Sequence, residues 1–133
     1  MFNKSLDPQG HIKLAVTDFS KSFDFYSSLL NQIGYREVYK DNNHAGWVSP
    51  NGFGLWIAVA TVKNHIYRFS APGLHHFCFK AGSSKQVDDV YEFLVDNNIV
   101  VFDKPQKYPE YTSGYYSVFF ADPDGIKLEL AYY

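Results

Sequence analysis

The sequence predicts an α+β fold in which two βαβββ units build an open, curved, mixed sheet with the helices on its convex face. Three observations predict it: runs of alternating apolar residues, two segments with apolar residues three or four apart, and the same order of elements in both halves of the chain. The units are expected at about residues 11–60 and 74–133, with a linker at 61–73, within one domain of residues 1–133. Neither unit covers both faces of its own sheet, so pairing the two buries the helix-facing sides.

The first unit opens with HIKLAVT, in which every second residue is apolar: Ile12, Leu14 and Val16. The period then changes in DFSKSFDFYSSLLNQIG, which predicts a helix with its apolar stripe at Phe19, Phe23, Tyr26, Leu30 and Ile33. Asp18 or Ser20 is suited to cap the start of this helix, and Gly34 its end. Three short strands are predicted around YREVYKD, AGWVS and GLWIAVA.

The second unit repeats this order. HHFCFKA alternates, with one apolar face made by Phe77, Phe79 and Ala81. SSKQVDDVYEFLVDNN predicts a helix with its stripe at Val87, Val90, Tyr91, Leu94 and Val95. Three strands follow at IVVFDK, YYSVFFA and IKLELAYY. Aligning the units by their first strands brings His11 onto His76, and aligning them by their last strands brings Trp56 onto Glu129.

Composition limits the classes of function. With a formal net charge of −2 and two arginines, Arg36 and Arg68, the chain lacks the basic surface expected for a nucleic-acid partner. No basic run or long apolar stretch points to a membrane. The single cysteine, Cys78, excludes an internal disulfide and fits a reducing compartment. We therefore expect a cytoplasmic protein whose partners are neither nucleic acids nor membranes.

Glu129 raises the main functional question, because a carboxylate in the middle of the terminal strand is costly to bury unpaired. Leu128 and Leu130 are expected to face the helices, which turns Glu129 the other way. His11 and His76, from two other strands, share that concave face with it. Two imidazoles and a carboxylate suit one divalent transition metal: Fe, Mn, Ni, Co or Zn. The spacing of these three residues along the chain matches no metal-site motif. The alternative that all three are ordinary surface or hydrogen-bonded residues therefore stays open.

Further side chains are candidates for a substrate pocket on this face: Lys13, Trp56, Cys78, Tyr111 and Tyr115. Lys13, like Lys80 and Lys127, either binds an anionic substrate or reaches solvent from a strand end. Cys78 is also consistent with a small buried hydrophobe. Trp56 and Trp47 line either an apolar pocket floor or a core.

The segment KYPEYTSGYYS concentrates tyrosines around a Ser-Gly turn. It forms either an aromatic pocket wall whose hydroxyls donate protons, with Tyr116 as the candidate catalytic donor, or a hairpin packed by its own rings. His75 falls on the helix side of its strand and is expected in the core or at its boundary. His44 and His65 lie in turn-like surroundings, with no expected role.

The chain resembles the vicinal oxygen chelate superfamily, which includes glyoxalase I, bleomycin-resistance proteins, fosfomycin-resistance thiol transferases and extradiol dioxygenases. The resemblance lies in HIKLAVTDFSKSFDFYSSLL, GLHHFCFKA and FFADPDGIKLEL, together with the duplicated βαβββ pattern, and it covers nearly the whole chain. It implies the glyoxalase-like fold. It also implies that His11, His76 and Glu129 correspond to the family's metal ligands, with Glu129 in a catalytic position.

The resemblance further implies an enzyme in which the metal acts as a Lewis acid on two adjacent oxygens of a small substrate, as a lyase or isomerase, a dioxygenase or a thiol transferase. It implies a homodimer with shared active sites, His11 coming from one chain and His76 with Glu129 from the other. Trp56 departs from glyoxalase I, which has a metal-binding Glu there, and this disfavours a lactoylglutathione lyase mechanism.

Two alternatives to a catalytic role remain at this point. The chain is also consistent with a metal-free binding protein of the bleomycin-resistance type, which sequesters a small aromatic or drug-like ligand between aromatic walls. A metal-bound but catalytically idle sensor or structural domain is the other. Metal content separates the enzyme from the binding protein, and turnover separates it from the idle domain.

Overall fold

The protein is described by a computed structural model covering residues 8–133. The chain divides between His65 and Ile66 into two compact units, each a βαβββ arrangement with one helix and a four-stranded mixed sheet. The predicted α+β class and the order of elements are confirmed.

The first unit runs in the order β1 (His11–Val16), α1 (Phe19–Gln32), β2 (Arg36–Lys40), β3 (His44–Val48) and β4 (Gly54–Val59). Its sheet order is β1-β4-β3-β2, with β1 parallel to β4 and the other pairs antiparallel. A parallel neighbour requires a crossover connection, which α1 and the two following strands provide. His44 begins β3, although the sequence suggested a turn there.

Helix α1 begins at the predicted cap, because the Asp18 carboxylate accepts the Lys21 N–H at 3.1 Å. It ends before Gly34, whose positive φ of 91° is the left-handed conformation that glycine tolerates. The stripe it buries differs from the predicted one: Ser22, Phe25, Tyr26, Leu29 and Leu30. Phe23 is only half-buried, because it lies along the edge of the helix against Trp47, with ring centroids 5.6 Å apart.

The second unit runs in the order β5 (Phe77–Lys80), α2 (Ser84–Asp96), β6 (Val101–Lys107), β7 (Tyr116–Ala121) and β8 (Lys127–Tyr132). Its sheet order is β5-β8-β7-β6, with β5 parallel to β8. The predicted strand IVVFDK ends at Lys104. In the structure β6 ends three residues later, at Lys107, because it continues through Pro105. Proline is tolerated there since β6 is an edge strand with an irregular register.

The core of the second unit lies between α2 and one face of its sheet. Its fully or nearly fully buried side chains are Val87, Val90, Leu94, Val118, Phe120, Leu128 and Leu130. Burying each large apolar side chain contributes about 1.5–3 kcal/mol. The predicted stripe of α2 is wrong at Val95, which is 51% exposed, and Tyr91 is half-buried. Ser83 caps the helix by accepting the Gln86 N–H at 3.1 Å.

Candidate functional site

The DPDG turn places Glu129 on its strand. The Asp122 carboxylate accepts two backbone N–H groups, at 2.8 and 2.9 Å, and the Gly125 N–H donates to the Asp122 carbonyl at 2.9 Å. Gly125 has a φ of +83°, which favours glycine. The turn joins β7 and β8 in a register that sets Phe119 opposite Glu129. Because neighbours along a strand alternate in direction, Glu129 faces away from α2, as predicted.

Glu129 is 2% exposed and has a protein partner at each carboxylate oxygen. The Tyr115 hydroxyl donates to Oε1 at 2.6 Å, and His76 Nε2 lies 3.1 Å from Oε2. Burial, followed by the hydrogen bond to Glu129, raises the pKa of Tyr115 above its ordinary value. The tyrosine therefore keeps its proton at neutral pH and acts toward the carboxylate as a donor. Two of the three predicted metal ligands, His76 and Glu129, are thus in direct contact within the second unit.

His76 stands just before β5, with its ring edge-on to Phe119 at 5.6 Å. Its other nitrogen, Nδ1, lies 2.7 Å from Nδ1 of His75. When His75 donates this proton, a neutral His76 carries its own proton on Nε2 and donates it to Glu129. When His76 donates instead, its Nε2 lone pair is available to a metal ion. His75 is exposed and not in the core; its ring contacts Phe69 at 5.4 Å.

Cys78 lies directly beside Glu129 in the parallel β5–β8 pair. Its thiol is part-buried and donates to the carbonyl oxygen of Phe79 at 3.4 Å. Burial, followed by the charge of Glu129, raises the pKa of the Cys78 thiol to about 12. Cys78 therefore stays protonated at neutral pH and is not an activated nucleophile.

Three tyrosines of the predicted segment join Tyr133 in a cluster of four rings, the tyrosine cluster: Tyr108, Tyr111, Tyr115 and Tyr133. Tyr115 stacks on Tyr133 with centroids 4.8 Å apart, and Tyr108 stacks on Tyr111 at 5.3 Å. Tyr111 meets Tyr115 edge-on at 5.3 Å. The rings thus pack on one another, and one of them also reaches Glu129. Sequence reasoning missed Tyr133, because its partner is distant along the chain.

Tyr116, the predicted catalytic donor, faces the other side of the sheet. Its hydroxyl donates to Oδ1 of Asp88 on α2 at 2.6 Å, and this hydrogen bond raises the pKa of Tyr116 to about 12. The structure therefore places Tyr115 at Glu129 instead of Tyr116. Ser117 shares the face of Tyr115 by alternation; its hydroxyl is buried without a hydrogen-bond partner among residues 8–133, and sequence reasoning overlooked it.

Two lysines of the second unit, Lys80 and Lys127, lie over aromatic rings. The Lys80 ammonium is 4.1 Å from the centroid of Tyr133, and the Lys127 ammonium is 4.4 Å from that of Phe69 and 5.0 Å from that of Phe119. In such cation–π contacts the ammonium group lies on the ring face while the aliphatic stem covers apolar surface.

His11, Lys13 and Trp56 share one face of the first sheet, opposite the buried Leu55 and Ile57. Lys13 is the direct neighbour of Trp56, just as Cys78 is the direct neighbour of Glu129 in the second unit. His11 and Lys13 are exposed, and Trp56 is half-buried. The alignment of Trp56 with Glu129 therefore holds in the register of the two sheets.

The two tryptophans lie on opposite faces of the first sheet. Trp47 is 2% exposed and packs against Tyr26 of α1 at 6.4 Å, so it belongs to the core. Trp56 lies on the His11 side, with its ring 5.9 Å from that of Tyr39. Of the two, only Trp56 remains a candidate pocket residue.

A family comparison identifies the chain. The model of the Glyoxalase/Bleomycin resistance protein/Dioxygenase superfamily matches residues 9–130. The chain belongs to this superfamily, the vicinal oxygen chelate superfamily. Its members commonly use divalent metals, act on small molecules and often form dimers.

Individual relatives agree with this assignment. The uncharacterized protein YqjT of Bacillus subtilis (strain 168) is 31% identical over 124 residues, covering 90% of this chain and 94% of YqjT. The metallothiol transferase FosB of Lysinibacillus sphaericus is 29% identical over 119 residues, covering 90% of this chain and 77% of FosB. A glyoxylase/bleomycin resistance protein/dioxygenase domain from Frankia has the same fold, with a TM-score of 0.77 at 23% identity over 96% of this chain and 98% of that chain.

The residues of this superfamily member fit a metal ion in part. Two ligands at about 2.1 Å lie about 3.0 Å apart on an octahedral ion and about 3.4 Å apart on a tetrahedral one, and His76 Nε2 and Glu129 Oε2 are 3.1 Å apart. Within residues 8–133, no three His, Cys, Asp or Glu side chains are grouped so as to hold an ion. Of the three predicted ligands, His76 and Glu129 therefore lie in the second unit, and His11 lies in the first. None of the helices in this part of the chain is long and apolar enough to cross a membrane.

Proposed function

We propose that this protein is a divalent-metal-dependent enzyme acting on a small molecule that carries two adjacent oxygens. The observation that carries the proposal is the pair made by Glu129 and His76, a buried carboxylate and an imidazole nitrogen 3.1 Å apart. A buried carboxylate is costly without a positive partner, and this spacing suits two neighbouring ligands of one ion. The proposed ligands are His11, His76 and Glu129, with Fe, Mn, Ni, Co or Zn as the metal.

Bound there, the metal supplies a Lewis acid that stabilises negative charge on a substrate oxygen. Glu129 contributes the one anionic ligand and is the proposed catalytic residue at the ion. Tyr115 keeps its proton and donates to Glu129. The tyrosine cluster and Trp56 supply apolar walls that exclude water, and Lys13 is the exposed cation available to an anionic substrate.

Among lyase or isomerase, dioxygenase and thiol-transferase reactions, we favour thiol transfer. FosB, the relative at 29% identity, is a metallothiol transferase. Trp56 neither binds metal nor moves a proton, which disfavours the glyoxalase I mechanism. In this proposal the thiol comes from a second substrate.

The proposed assembly is a homodimer with shared sites, in which one copy supplies His11 and the other supplies His76 and Glu129. Frequent dimerisation within the superfamily supports it. We also propose that the two units of the chain act as one domain and that the protein works in the cytoplasm, where its single cysteine, Cys78, stays reduced.

Elemental analysis of tag-free protein, purified without chelator, tests the metal site. We expect about one transition-metal ion per chain, as for a site with open positions, and its loss in Glu129→Ala and His76→Ala. His65→Ala is the matched control, because it removes an exposed imidazole outside the site. Full occupancy in Glu129→Ala, or no ion in the wild type after reconstitution with each candidate metal, would contradict the proposal.

A second function is favoured by one observation. Both oxygens of Glu129 already have protein partners, and the tyrosine cluster beside them offers ring faces to a planar ligand. This is the arrangement expected of a metal-free protein that sequesters an aromatic or drug-like ligand. The same metal analysis separates the two: wild-type protein that stays metal-free and quenches its tyrosine emission on binding an aromatic compound would identify the binding protein.

A further inference from the structure

The two oxygens of Glu129 differ in their partners, and this difference has a consequence for metal binding. Oε1 receives the Tyr115 hydroxyl at 2.6 Å, whereas Oε2 faces His76 Nε2 at 3.1 Å. A hydrogen bond of this length between a hydroxyl and a carboxylate is charge-assisted and stronger than one between neutral groups. Because Glu129 is almost fully buried, water does not reach it easily, and losing either partner would leave a buried oxygen of the carboxylate unpaired at a cost in free energy.

Tyr115 is held in place at its ring and at its backbone. The ring stacks on Tyr133, which carries the Lys80 ammonium on its face at 4.1 Å. Its backbone carbonyl accepts the Tyr108 N–H at 2.9 Å, and its own N–H donates to the Thr112 carbonyl at 3.2 Å, closing the loop before β7. The hydroxyl is therefore fixed in position before any ligand arrives.

We infer that Tyr115 is a positioning residue that makes Glu129 a one-oxygen ligand. With Oε1 held by Tyr115, the carboxylate presents Oε2 beside His76, and an ion that also bound Oε1 would compete with the Tyr115 hydroxyl for that oxygen. A carboxylate that binds through one oxygen leaves one more position on the ion for substrate. The inference rests on the proposed metal site and adds how Glu129 is held within it.

Titration of the whole protein with Co(II), whose visible bands report its coordination, tests this role. Tyr115→Phe keeps the ring stack and removes only the hydroxyl. We expect Co(II) affinity to fall about 10-fold, the scale typical of lost partners to metal ligands. We also expect the Co(II) bands of the variant to shift, because the carboxylate is free to bind through both oxygens.

The matched control is Tyr132→Phe, which removes a hydroxyl from an exposed ring on the face of β8 opposite Glu129 and outside the tyrosine cluster. It is expected to match the wild type in affinity and spectrum. Tyr115→Phe with wild-type affinity and spectrum would overturn the positioning role while leaving the metal site intact. Wild-type protein that binds no Co(II) would overturn the proposed metal site and the inference together, and circular dichroism of each variant separates a misfolded chain from either outcome.

Discussion

Gly46 lies where the indole of Trp56 crosses the first sheet. The two residues are direct neighbours in β3 and β4, and a Cβ at position 46 would lie 2.5 Å from the Trp56 ring. A second glycine, Gly54, sits under the other end of the ring, where a Cβ would come within 3.1 Å of Trp56 Nε1 and of the His11 Cβ. The flat placement of Trp56 beside His11 therefore requires glycine, which has no side chain, at positions 46 and 54.

Replacing Gly46 with Ala should force the Trp56 ring out of this position. We expect a loss of about 1–3 kcal/mol in the free energy of unfolding, the usual cost of overpacking, measured by urea denaturation. In a Trp56→Ala background the same change should cost much less, which isolates the contact as a double-mutant cycle. Gly10→Ala is the control, because a Cβ there meets nothing within 4 Å. Equal losses with and without Trp56 would refute the packing explanation.

For Tyr115 and Tyr116, the sequence alone does not determine which face of the sheet each side chain occupies. Glu129, His76 and Trp56 were placed on the correct faces, because long alternating strands fix which side chains point to the helix. Tyr115 and Tyr116 come at the start of β7, where the alternation has no apolar residue before it. A shift of one residue reverses every face assignment, so the choice between two adjacent tyrosines needed the observed hydrogen bonds.

Among the elements, the connection between β2 and β3 is organised by one carboxylate. Asp41 accepts the N–H groups of Asn43 and His44, both at 2.7 Å, and the Tyr39 hydroxyl at 2.8 Å. The Asn43 bond, followed by the Tyr39 bond, lowers the pKa of Asp41 to about 2. Tyr39 also contacts Trp56, so this connection supports the His11 face of the sheet.

This lowered pKa gives a pH-dependent contribution to stability. A carboxyl whose folded pKa is below its unfolded value stabilises the fold above the unfolded value and loses that effect as pH falls through the folded one. For Asp41 the window runs from about pH 4 down to about pH 2. We expect Asp41→Asn to be less stable than wild type at pH 6 and the difference to shrink toward pH 2, in urea unfolding across that range. A difference independent of pH would rule out ionised Asp41 as its cause.

Element boundaries were predictable where periodicity and caps agree. Asp18, Ser83 and the DPDG turn each accept backbone N–H groups, so their positions follow from local chemistry. The helix stripes were less predictable, because their aromatic-rich sequences offer more apolar positions than one face can bury. The irregular edge strand β6, with its Pro105, could not be bounded from alternation, which its register shifts interrupt.

Over the whole chain, the two units repeat one sheet order and one register but differ in chemistry. Trp56 occupies in the first unit the position that Glu129 occupies in the second, beside Lys13 and Cys78 respectively. At these matched positions the first unit therefore offers an imidazole, His11, without a carboxylate, and the second offers His76 together with Glu129. Since the proposed ligands are divided between the units, a shared dimer site is a testable arrangement.

Mixing two defective chains tests this sharing. Consider a dimer of one His11→Ala chain and one Glu129→Ala chain. If each site takes His11 from one chain and Glu129 from the other, both substitutions fall in the same site and the second site is complete. If every site comes from one chain, each site of that dimer keeps a defect. We therefore expect co-expressed variants to recover about a quarter of wild-type metal content, because random pairing makes half of the dimers mixed and half of their sites complete. Each variant alone should bind none.

The matched control is a mixture of His76→Ala and Glu129→Ala, whose defects lie in the same unit and stay in separate sites under either arrangement. No recovery is expected there. Recovery in the first mixture and not in the second would establish ligands from two chains. If neither mixture recovers metal, although sedimentation confirms dimers and the wild type binds metal, each site takes His11 and Glu129 from the same chain.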